Sequence, residues 1–240
     1  MIMVVLKPSS TLFKRRLMVA VNLECCVLHR RASGIYFGTG LVIHFTQGAG
    51  QEIGTGTFLD RIVISSSPAR PSADPCPTCG ENSRDNGVIL SCIDCFLDGG
   101  ELYLFEYDVP VAAFLAKPRG GTCTTAKSDP PEDVIHRATF LLENGFGDYN
   151  VFKNNCEDFS VYCKTGLLVT TVLSVGRSGQ AASLFAAAST AVSLPLRYLI
   201  AGYTGVTVFG YGLYCANRYA SDIGVRRDVA RVPVESLVRR

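Results

Sequence analysis

Two C-x-x-C pairs, separated by twelve residues, constrain the fold of this chain more than any other feature of its sequence. They are Cys76 with Cys79 and Cys92 with Cys95, and they lie in a Pro-, Ser- and Cys-rich insertion that we place at residues 66–96. Four thiolates at this spacing can surround one metal ion tetrahedrally, as in structural zinc knuckles. The spacing therefore predicts a structural Zn²⁺ site that holds both pairs together. Free thiols in a reducing compartment and a redox-labile pair are the alternatives.

The other cysteines point to the redox environment rather than to a metal. Cys25, Cys26, Cys123, Cys163 and Cys215 show no metal-ligand spacing. Ten cysteines in 240 residues are also fewer than a disulfide-scaffold protein would carry. The pattern favours a reducing, intracellular compartment in which the cysteines remain thiols.

Two long uncharged runs lie in the C-terminal third of the chain. Residues 178–196 and 198–217 carry no charged side chain, and Arg197 separates them. Each run has the length of a membrane-spanning helix, but much of it is Ala, Ser and Gly, which supply little hydrophobic transfer energy. We therefore predict a hydrophobic helical segment over residues 177–217. It either associates with a membrane or packs on the body as a helical hairpin.

Positive charge is concentrated at both ends of the chain. Residues 1–31 carry six Lys or Arg and one Glu (+5), and residues 218–240 carry six Arg and three acids (+3). Because the whole chain carries +2, residues 32–217 carry −6. The basic N-terminus is atypical for a folded segment and is compatible with an organelle transit peptide or an atypical start. The basic tail could meet anionic lipid headgroups or remain solvated.

Composition also excludes some classes of function. The chain is 48% hydrophobic and 18% charged, which is too apolar for a disordered protein. The body has no basic patch with interleaved aromatic residues, so we expect no nucleic-acid partner. Gly38-Thr39-Gly40 lies between two β-prone runs and is followed by no helix, so it is a hairpin turn and not a dinucleotide-binding loop.

Strand signals come first in the body and helix signals follow. Strands are predicted at 34–45 (a hairpin), 61–65, 88–91 and 101–107. Helices are predicted from Pro131 to Gly145 and from Asn155 to Gly166. This order is typical of an α+β fold, with an antiparallel sheet packed against helices. The Cys-rich insertion and the hydrophobic helical hairpin would be additions to that core.

Cys156 is the candidate nucleophile. Asn155 can cap a helix at this point, so Cys156 would lie in the first turn, where backbone N–H groups and the helix dipole favour the thiolate. The acids Glu157 and Asp158 oppose this effect by repulsion, and a buried structural cysteine is the alternative. A catalytic cysteine also needs a base within reach. His44, at the end of a hairpin strand, is the candidate.

Three segments resemble a known family. They are Gly34-Ile35-Tyr36, Val42-Ile43-His44-Phe45 and Asn155-Cys156-Glu157-Asp158-Phe159. They resemble the lecithin:retinol acyltransferase-like (LRAT, or NC-domain) family, and its plant-type members most, over about residues 33–217. The resemblance implies a circularly permuted papain-like fold related to NlpC-type peptidases, with the LRAT-like domain at residues 32–176. Active members of this family are thiol acyltransferases or phospholipases.

The resemblance also assigns residues by position. Cys156 matches the nucleophile, and His44 matches the second histidine, which orients the base. The base itself is expected two residues before Gly34, where this chain has Ala32. General-base assistance is worth on the order of 10²–10⁴ in rate, so its loss implies impaired catalysis. His44 acting as a makeshift base is the alternative.

These observations lead to two functional expectations. The first is a membrane-associated LRAT-domain protein that is catalytically impaired and binds membrane lipid or a protein partner. The second is an active thiol acyltransferase or phospholipase that forms an acyl-thioester on Cys156 from an acyl-lipid substrate. Neither function requires a cofactor, and a structural Zn²⁺ would take no part in catalysis. The expected location is intracellular, at a membrane or in the cytoplasm.

Overall fold

The computed structural model describes residues 21–27, 30–47, 75–80, 86–117, 121–150, 154–170 and 198–237. Over these ranges it contains a five-stranded antiparallel sheet, a two-stranded sheet and five α-helices. The antiparallel sheet and the mixed α and β content expected from the sequence are confirmed. The strand predicted near residues 61–65 and the first uncharged run, residues 178–196, lie outside the described residues.

The main sheet is built from hairpin-connected and long-range pairings. Its strands are β1 (Val21–Val27), β2 (Arg30–Gly38), β3 (Leu41–Thr46), β4 (Gly87–Cys92) and β5 (Glu101–Leu104). They lie in the order β4-β3-β2-β1-β5, and every neighbouring pair is antiparallel. Gly38, Thr39 and Gly40 all have positive φ, which is why glycines occupy two of the three turn positions between β2 and β3.

Helices and a small second sheet complete the architecture. The helices are α1 (Ile93–Leu97), α2 (Val111–Ala116), α3 (Pro131–Asn144), α4 (Cys156–Thr165) and α5 (Tyr198–Ala220). The second sheet pairs β6 (Leu167–Val169) with β7 (Val229–Arg231), and a short 3₁₀ helix (Val234–Ser236) follows it. The sheet and the helices enclose two separate apolar clusters.

The larger cluster lies between the main sheet and helices α3 and α4. Ile43 and Phe45 are two residues apart along β3, so their side chains share one face of the sheet. Both pack in the same buried cluster as Leu141 of α3 and Phe159 of α4. Phe45 lies edge-on to Phe146, with ring centroids 5.5 Å apart. This cluster fixes α4 against the sheet.

The smaller cluster lies on the other face of the sheet. Val42 of β3 packs there with Phe96 and Leu97 of α1 and with Leu102 of β5. Alternation along β3 places His44 on this same face, between the positions of Ile43 and Phe45. His44 therefore points away from the cluster that holds α4.

The ends of α3 and α4 follow the predicted signals. Pro131 occupies the first turn of α3, and the helix ends at Gly145. Asn155 caps α4: its Oδ1 accepts from the backbone N–H groups of Glu157 and Asp158, and the Asp158 carboxylate accepts from the Asn155 N–H. Such a capping box satisfies backbone donors that the helix itself leaves free.

The structure corrects the prediction that residues 1–31 stand apart from the fold. β1 pairs with β2 from Val21 opposite Tyr36 to Val27 opposite Arg30, and it pairs with β5 on its other side. The backbone of this strand therefore makes its hydrogen bonds inside the main sheet. A basic composition gives no sign of this because the pairing depends on β5, far along the chain. Residues 1–20 lie outside the described part.

The insertion predicted at residues 66–96 is also shorter than predicted. Residues 87–92 form β4, which pairs along its length with β3, and α1 follows directly. These residues belong to the main sheet and its covering helix, because Val88 and Phe96 are buried in the two apolar clusters.

Residues 218–240 were predicted as a separate basic tail, and this prediction is wrong for the described part. β7 pairs with β6, and Val234 is 3% exposed in the larger apolar cluster. The Tyr162 hydroxyl of α4 donates a hydrogen bond to the Val232 carbonyl at 2.9 Å. The guanidinium group of Arg231 also forms an ion pair with the Asp129 carboxylate. We call residues 221–237 the C-terminal segment.

The second uncharged run forms the greater part of α5. Its C-terminal end is anchored by Arg218, which is 4% exposed and donates to the carbonyls of Phe114 and Lys117 at the end of α2. Tyr211 and Val208, about two and three turns before this anchor, are 50% and 75% exposed. Within the described part of the chain, no helix combines the length and apolar character that crossing a membrane requires.

Candidate functional site

The four predicted metal ligands come from three different local structures. Cys76 and Cys79 lie in a tight turn closed by a 2.7 Å hydrogen bond from the Gly80 N–H to the Cys76 carbonyl. Gly80 has a φ of +72°, which a residue without a Cβ adopts readily. Cys92 is the last residue of β4, and Cys95 lies in α1. A strand end followed at once by a helical turn thus presents the second pair to the first.

The geometry of the four sulfurs fits one tetrahedral metal ion. All four Sγ atoms lie within 4.8 Å of one another. The Cys76–Cys92 distance is 4.0 Å and the Cys79–Cys95 distance is 3.7 Å. A tetrahedron with Zn–S bonds of about 2.3 Å has sulfurs about 3.8 Å apart. The predicted convergence of the two pairs is therefore confirmed, and a Cys₄ cluster that could hold a metal ion is present.

The turn around Cys76 favours the thiolate form. Hydrogen bonds from the backbone at Cys79 and Thr78 lower the pKa of Cys76 to about 6. Burial raises the pKa of Cys92 instead. A divalent cation would favour the thiolate at every ligand, so binding would release protons. Each cysteine whose side chain the structure describes is a free thiol, so no disulfide competes for these ligands.

Cys156 lies at the first turn of α4, as predicted, and its thiol is buried. Its side chain is 8% exposed, and burial raises the pKa of the thiol to about 11. The Glu157 and Asp158 carboxylates raise the pKa further, against the opposing effect of hydrogen bonds with the Ser33 backbone and the Tyr149 side chain. At neutral pH the protonated thiol therefore predominates, which is the weak nucleophile.

His44 contacts the two residues that flank the second C-x-x-C pair. Its Nε2 shares a 2.5 Å hydrogen bond with the Ser91 hydroxyl, and its ring lies edge-on to Phe96 at 5.2 Å. Tyr149, the hydrogen-bonding partner of Cys156, packs instead on Phe45, on the other face of β3. Burial lowers the pKa of His44 to about 4, so its ring is neutral at pH 7. The hydrogen bond of His44 is with Ser91, and those of Cys156 are with the Ser33 backbone and the Tyr149 side chain.

The side chains around these groups could not be found from the sequence alone. Ser91 and Phe96 directly flank the second C-x-x-C pair, but only the β3–β4 register shows that His44 reaches both of them. The role of Tyr149 depends likewise on the packing of residues 146–149 over Phe45. A strand-period pattern predicts which residues share a face, but it does not predict which strand lies beside it.

A small cavity of about 60 Å³ lies between α4 and the C-terminal segment. Its walls include Glu157 and Val161 of α4 and Asp222 and Ile223 of the C-terminal segment. Asp222 is held there by hydrogen bonds from the Thr125 N–H and hydroxyl. The cavity therefore exists only because the C-terminal segment docks on the body.

Comparisons with known proteins identify the family of the chain. A family model described as lecithin retinol acyltransferase matches residues 25–169, from β1 to the end of β6. Protein LEAD-SENSITIVE 1 of Arabidopsis thaliana is 55% identical over 208 residues, which are 86% of this chain and 80% of that protein. No solved structure matches. The chain belongs to the lecithin retinol acyltransferase family.

Proposed function

We propose that this chain is a catalytically impaired, membrane-associated LRAT-domain protein with a structural metal site. The observation that carries the proposal is the surroundings of Cys156. The thiol is buried, its pKa is raised to about 11, and the position of the family base is Ala32. The permuted papain-like arrangement, which the resemblance implies, and the C-terminal helical hairpin, which the two uncharged runs predict, are part of this proposal.

Three physical steps argue against strong catalysis by Cys156. At pH 7 a thiol with a pKa near 11 is thiolate in only about one molecule in 10⁴. Such a thiol needs a general base, and the hydrogen-bond partner of His44 is Ser91. Ala32 packs beside the smaller apolar cluster and has no group that accepts a proton. The loss of base assistance alone is worth about 10²–10⁴ in rate.

Intact-mass spectrometry of the full chain tests this proposal. Purified protein is incubated with an acyl-phospholipid, and the mass of an acyl-thioester is sought. We expect no acyl adduct on Cys156, with Cys123→Ser as a control for thiols elsewhere. An acyl adduct that forms on the wild type and on Cys123→Ser, and disappears in Cys156→Ala, would overturn the proposal in favour of an active acyltransferase or phospholipase.

The metal in the Cys₄ cluster is proposed to be Zn²⁺. Support comes from the donor set and the 3.7–4.0 Å sulfur separations, which suit a closed tetrahedral site without an open position for chemistry. Metal analysis of the purified chain should find about one Zn²⁺ per chain, lost on Cys92→Ser and kept on Cys163→Ser. Because the Arabidopsis relative is named for lead sensitivity, Pb²⁺ is a useful competing ion. A folded, metal-free wild type would overturn this part.

Membrane association is proposed to act through α5. Residues 198–217 carry no charge, and the apolar side chain of Val208 and the ring of Tyr211 are exposed. Arg218 holds the end of the helix on the body, so the exposed turns have a fixed attachment. Such a helix can lie in the interface of a bilayer, with its apolar side buried in the lipid.

Vesicle sedimentation separates apolar from electrostatic binding. We expect the full chain to pellet with both zwitterionic and anionic phospholipid vesicles, and Val208→Asp with Tyr211→Ser to remain in the supernatant. Point substitutions are preferable to truncation because the C-terminal segment packs into the core. The exposed pair His136 and Glu235 gives the control, His136→Ala. Wild-type protein that stays in the supernatant with both vesicles would overturn membrane association.

A further inference from the structure

His44 touches both sides of the second C-x-x-C pair. Its Nε2 is 2.5 Å from the hydroxyl of Ser91, the residue before Cys92. Its ring meets Phe96, the residue after Cys95, in an edge-on contact of 5.2 Å between centroids. One side chain of β3 thus contacts the residues that begin and end the strand-to-helix turn that presents these two sulfurs.

These contacts are fully buried, so they cannot be exchanged for water without cost. Ser91 is 0% exposed and His44 is 7% exposed. A buried hydroxyl that loses its partner costs about 1–3 kcal/mol, and this penalty resists any rearrangement that separates the two groups. Gly34, paired with His44 across β2 and β3, leaves room for both side chains: a Cβ there would lie 3.1 Å from the His44 Cβ and 3.1 Å from the Phe96 ring.

The hairpin turn reinforces the same connection. The Ile93 N–H, between the two cysteines of the pair, donates a 2.8 Å hydrogen bond to the Gly40 carbonyl in the turn between β2 and β3. Leu41 is paired with Cys92 at the end of the ladder. The backbone of the pair is therefore held by the turn, while its flanking side chains are held by His44.

We propose that His44 is a positioning residue for the Cys₄ metal site. Through its contacts with Ser91 and Phe96, His44 orients the second C-x-x-C pair. This inference rests on the proposed metal site. It gives His44 a role in this chain other than the one that the family resemblance implies. Groups that orient metal ligands are commonly worth 10–100-fold in metal affinity when they are removed.

Three substitutions at His44 and Ser91 test the role. His44→Leu removes the ring nitrogens and keeps an apolar side chain, whereas His44→Gln keeps a hydrogen-bonding group near the position of Nε2. Ser91→Ala removes the other half of the same hydrogen bond with a smaller change in volume. His136→Leu, at an exposed position on α3, is the control. Zn²⁺ affinity is measured by competition with a chromophoric chelator, and Co²⁺ absorption in the visible range reports the coordination geometry.

We expect His44→Leu and Ser91→Ala each to weaken Zn²⁺ binding 10–100-fold and to perturb the Co²⁺ spectrum. The double substitution should be no weaker than either single one, because both remove the same interaction. His44→Gln should recover much of the affinity, and His136→Leu should match the wild type. Wild-type Zn²⁺ affinity and Co²⁺ spectrum in Ser91→Ala or in a folded His44→Leu would overturn the inference. A wild type that binds neither ion would instead overturn the metal site itself, and this inference with it.

Discussion

Cys156 shows how burial can cancel the advantage of a helix N-terminus. The capping box places its thiol in the first turn of α4, where the dipole favours the thiolate. Burial acts in the opposite direction and dominates, so the pKa rises to about 11. The capping position was predictable from Asn155 and Asp158. The burial was not, because it depends on strand β2, which is distant in the sequence, and on how the nearby Tyr149 packs over Phe45.

The reactivity of Cys156 should therefore rise steadily with pH. Since alkylation requires the thiolate, its rate should increase about tenfold per pH unit between pH 7 and 10, below the folded pKa. Iodoacetamide labelling followed by peptide mass spectrometry measures this. After removal of metal by a chelator, Cys76, with its pKa lowered to about 6, provides an internal control whose labelling should vary little above pH 7. A plateau for Cys156 below pH 8 would contradict the expectation.

Gly34 is required by packing and not by its backbone angle. A Cβ at this position would lie 2.6 Å from Cγ1 of Val42, and valine has little freedom to turn away. Gly34→Ala should lower the free energy of unfolding by about 1–3 kcal/mol, as overpacked cores do. Urea unfolding is the measurement. Gly212→Ala, where a Cβ meets open space on α5, should be neutral or stabilising, and equal effects of the two substitutions would refute the argument.

At the scale of elements, local sequence signals predicted where helices begin and end, but they did not predict which strands pair. Helices α3 and α4 begin and end where proline, acids and glycine predicted. The two cysteine pairs also converge as their spacing predicted. In contrast, β1 and β7 were missed. The three-residue strand β7 pairs with β6, about 60 residues earlier, and the basic composition of residues 1–31 gives no sign of β1, although its partner β2 follows directly. His44 was placed on the correct strand, but the register that directs it to Ser91 could not be derived from its sequence.

Asp129 connects the C-terminal segment to α3. Its carboxylate accepts two hydrogen bonds from Arg231, at 2.8 and 2.9 Å, and one from Arg137 at 2.6 Å. Burial alone would raise the pKa of Asp129, but the two guanidinium groups outweigh it and lower the pKa below its usual value of 3.8. The carboxylate therefore stabilises the fold above about pH 4, and this contribution is lost as the pH falls towards the folded-state pKa.

Asp129→Asn should accordingly weaken the docking of the C-terminal segment. At pH 7 we expect a loss of about 1.5–3 kcal/mol in the free energy of unfolding, typical of hydrogen bonds to charged groups, and faster amide exchange over residues 229–231. The difference from the wild type should shrink towards pH 3. Glu235→Gln, which breaks an exposed pair with His136, is the matched control and should change stability little. A pH-independent difference would rule out the electrostatic explanation.

At the scale of the whole molecule, the folded unit is larger than the region that the family model matches. The match ends at residue 169, yet Val234 is buried against residues of α3 and α4. The charge pattern of the sequence suggested a basic tail that meets lipid headgroups or remains solvated. It gave no sign of this docking, because the partner of Arg231 is Asp129, about 100 residues away in the chain.

Val234→Ala should therefore destabilise the whole domain. Removing two buried methyl groups at about 0.8 kcal/mol each, with a further cost for the cavity, gives a loss of about 2 kcal/mol. The unfolding midpoint in urea should fall without a change in slope. Val111→Ala, at a position that is 43% exposed, should have a much smaller effect. If Val234→Ala left the unfolding midpoint unchanged, the C-terminal segment would not contribute to the core.

The placement of Val234 has a consequence during protein synthesis. About 65 residues separate the end of β6 from Val234, and at about 5–20 residues per second the ribosome needs about 3–13 s to add them. Throughout that interval α3 and α4 expose the apolar surface that the C-terminal segment later covers. Nascent chains of this protein therefore pass through a stage at which molecular chaperones should bind, and any stall before residue 234 would prolong it.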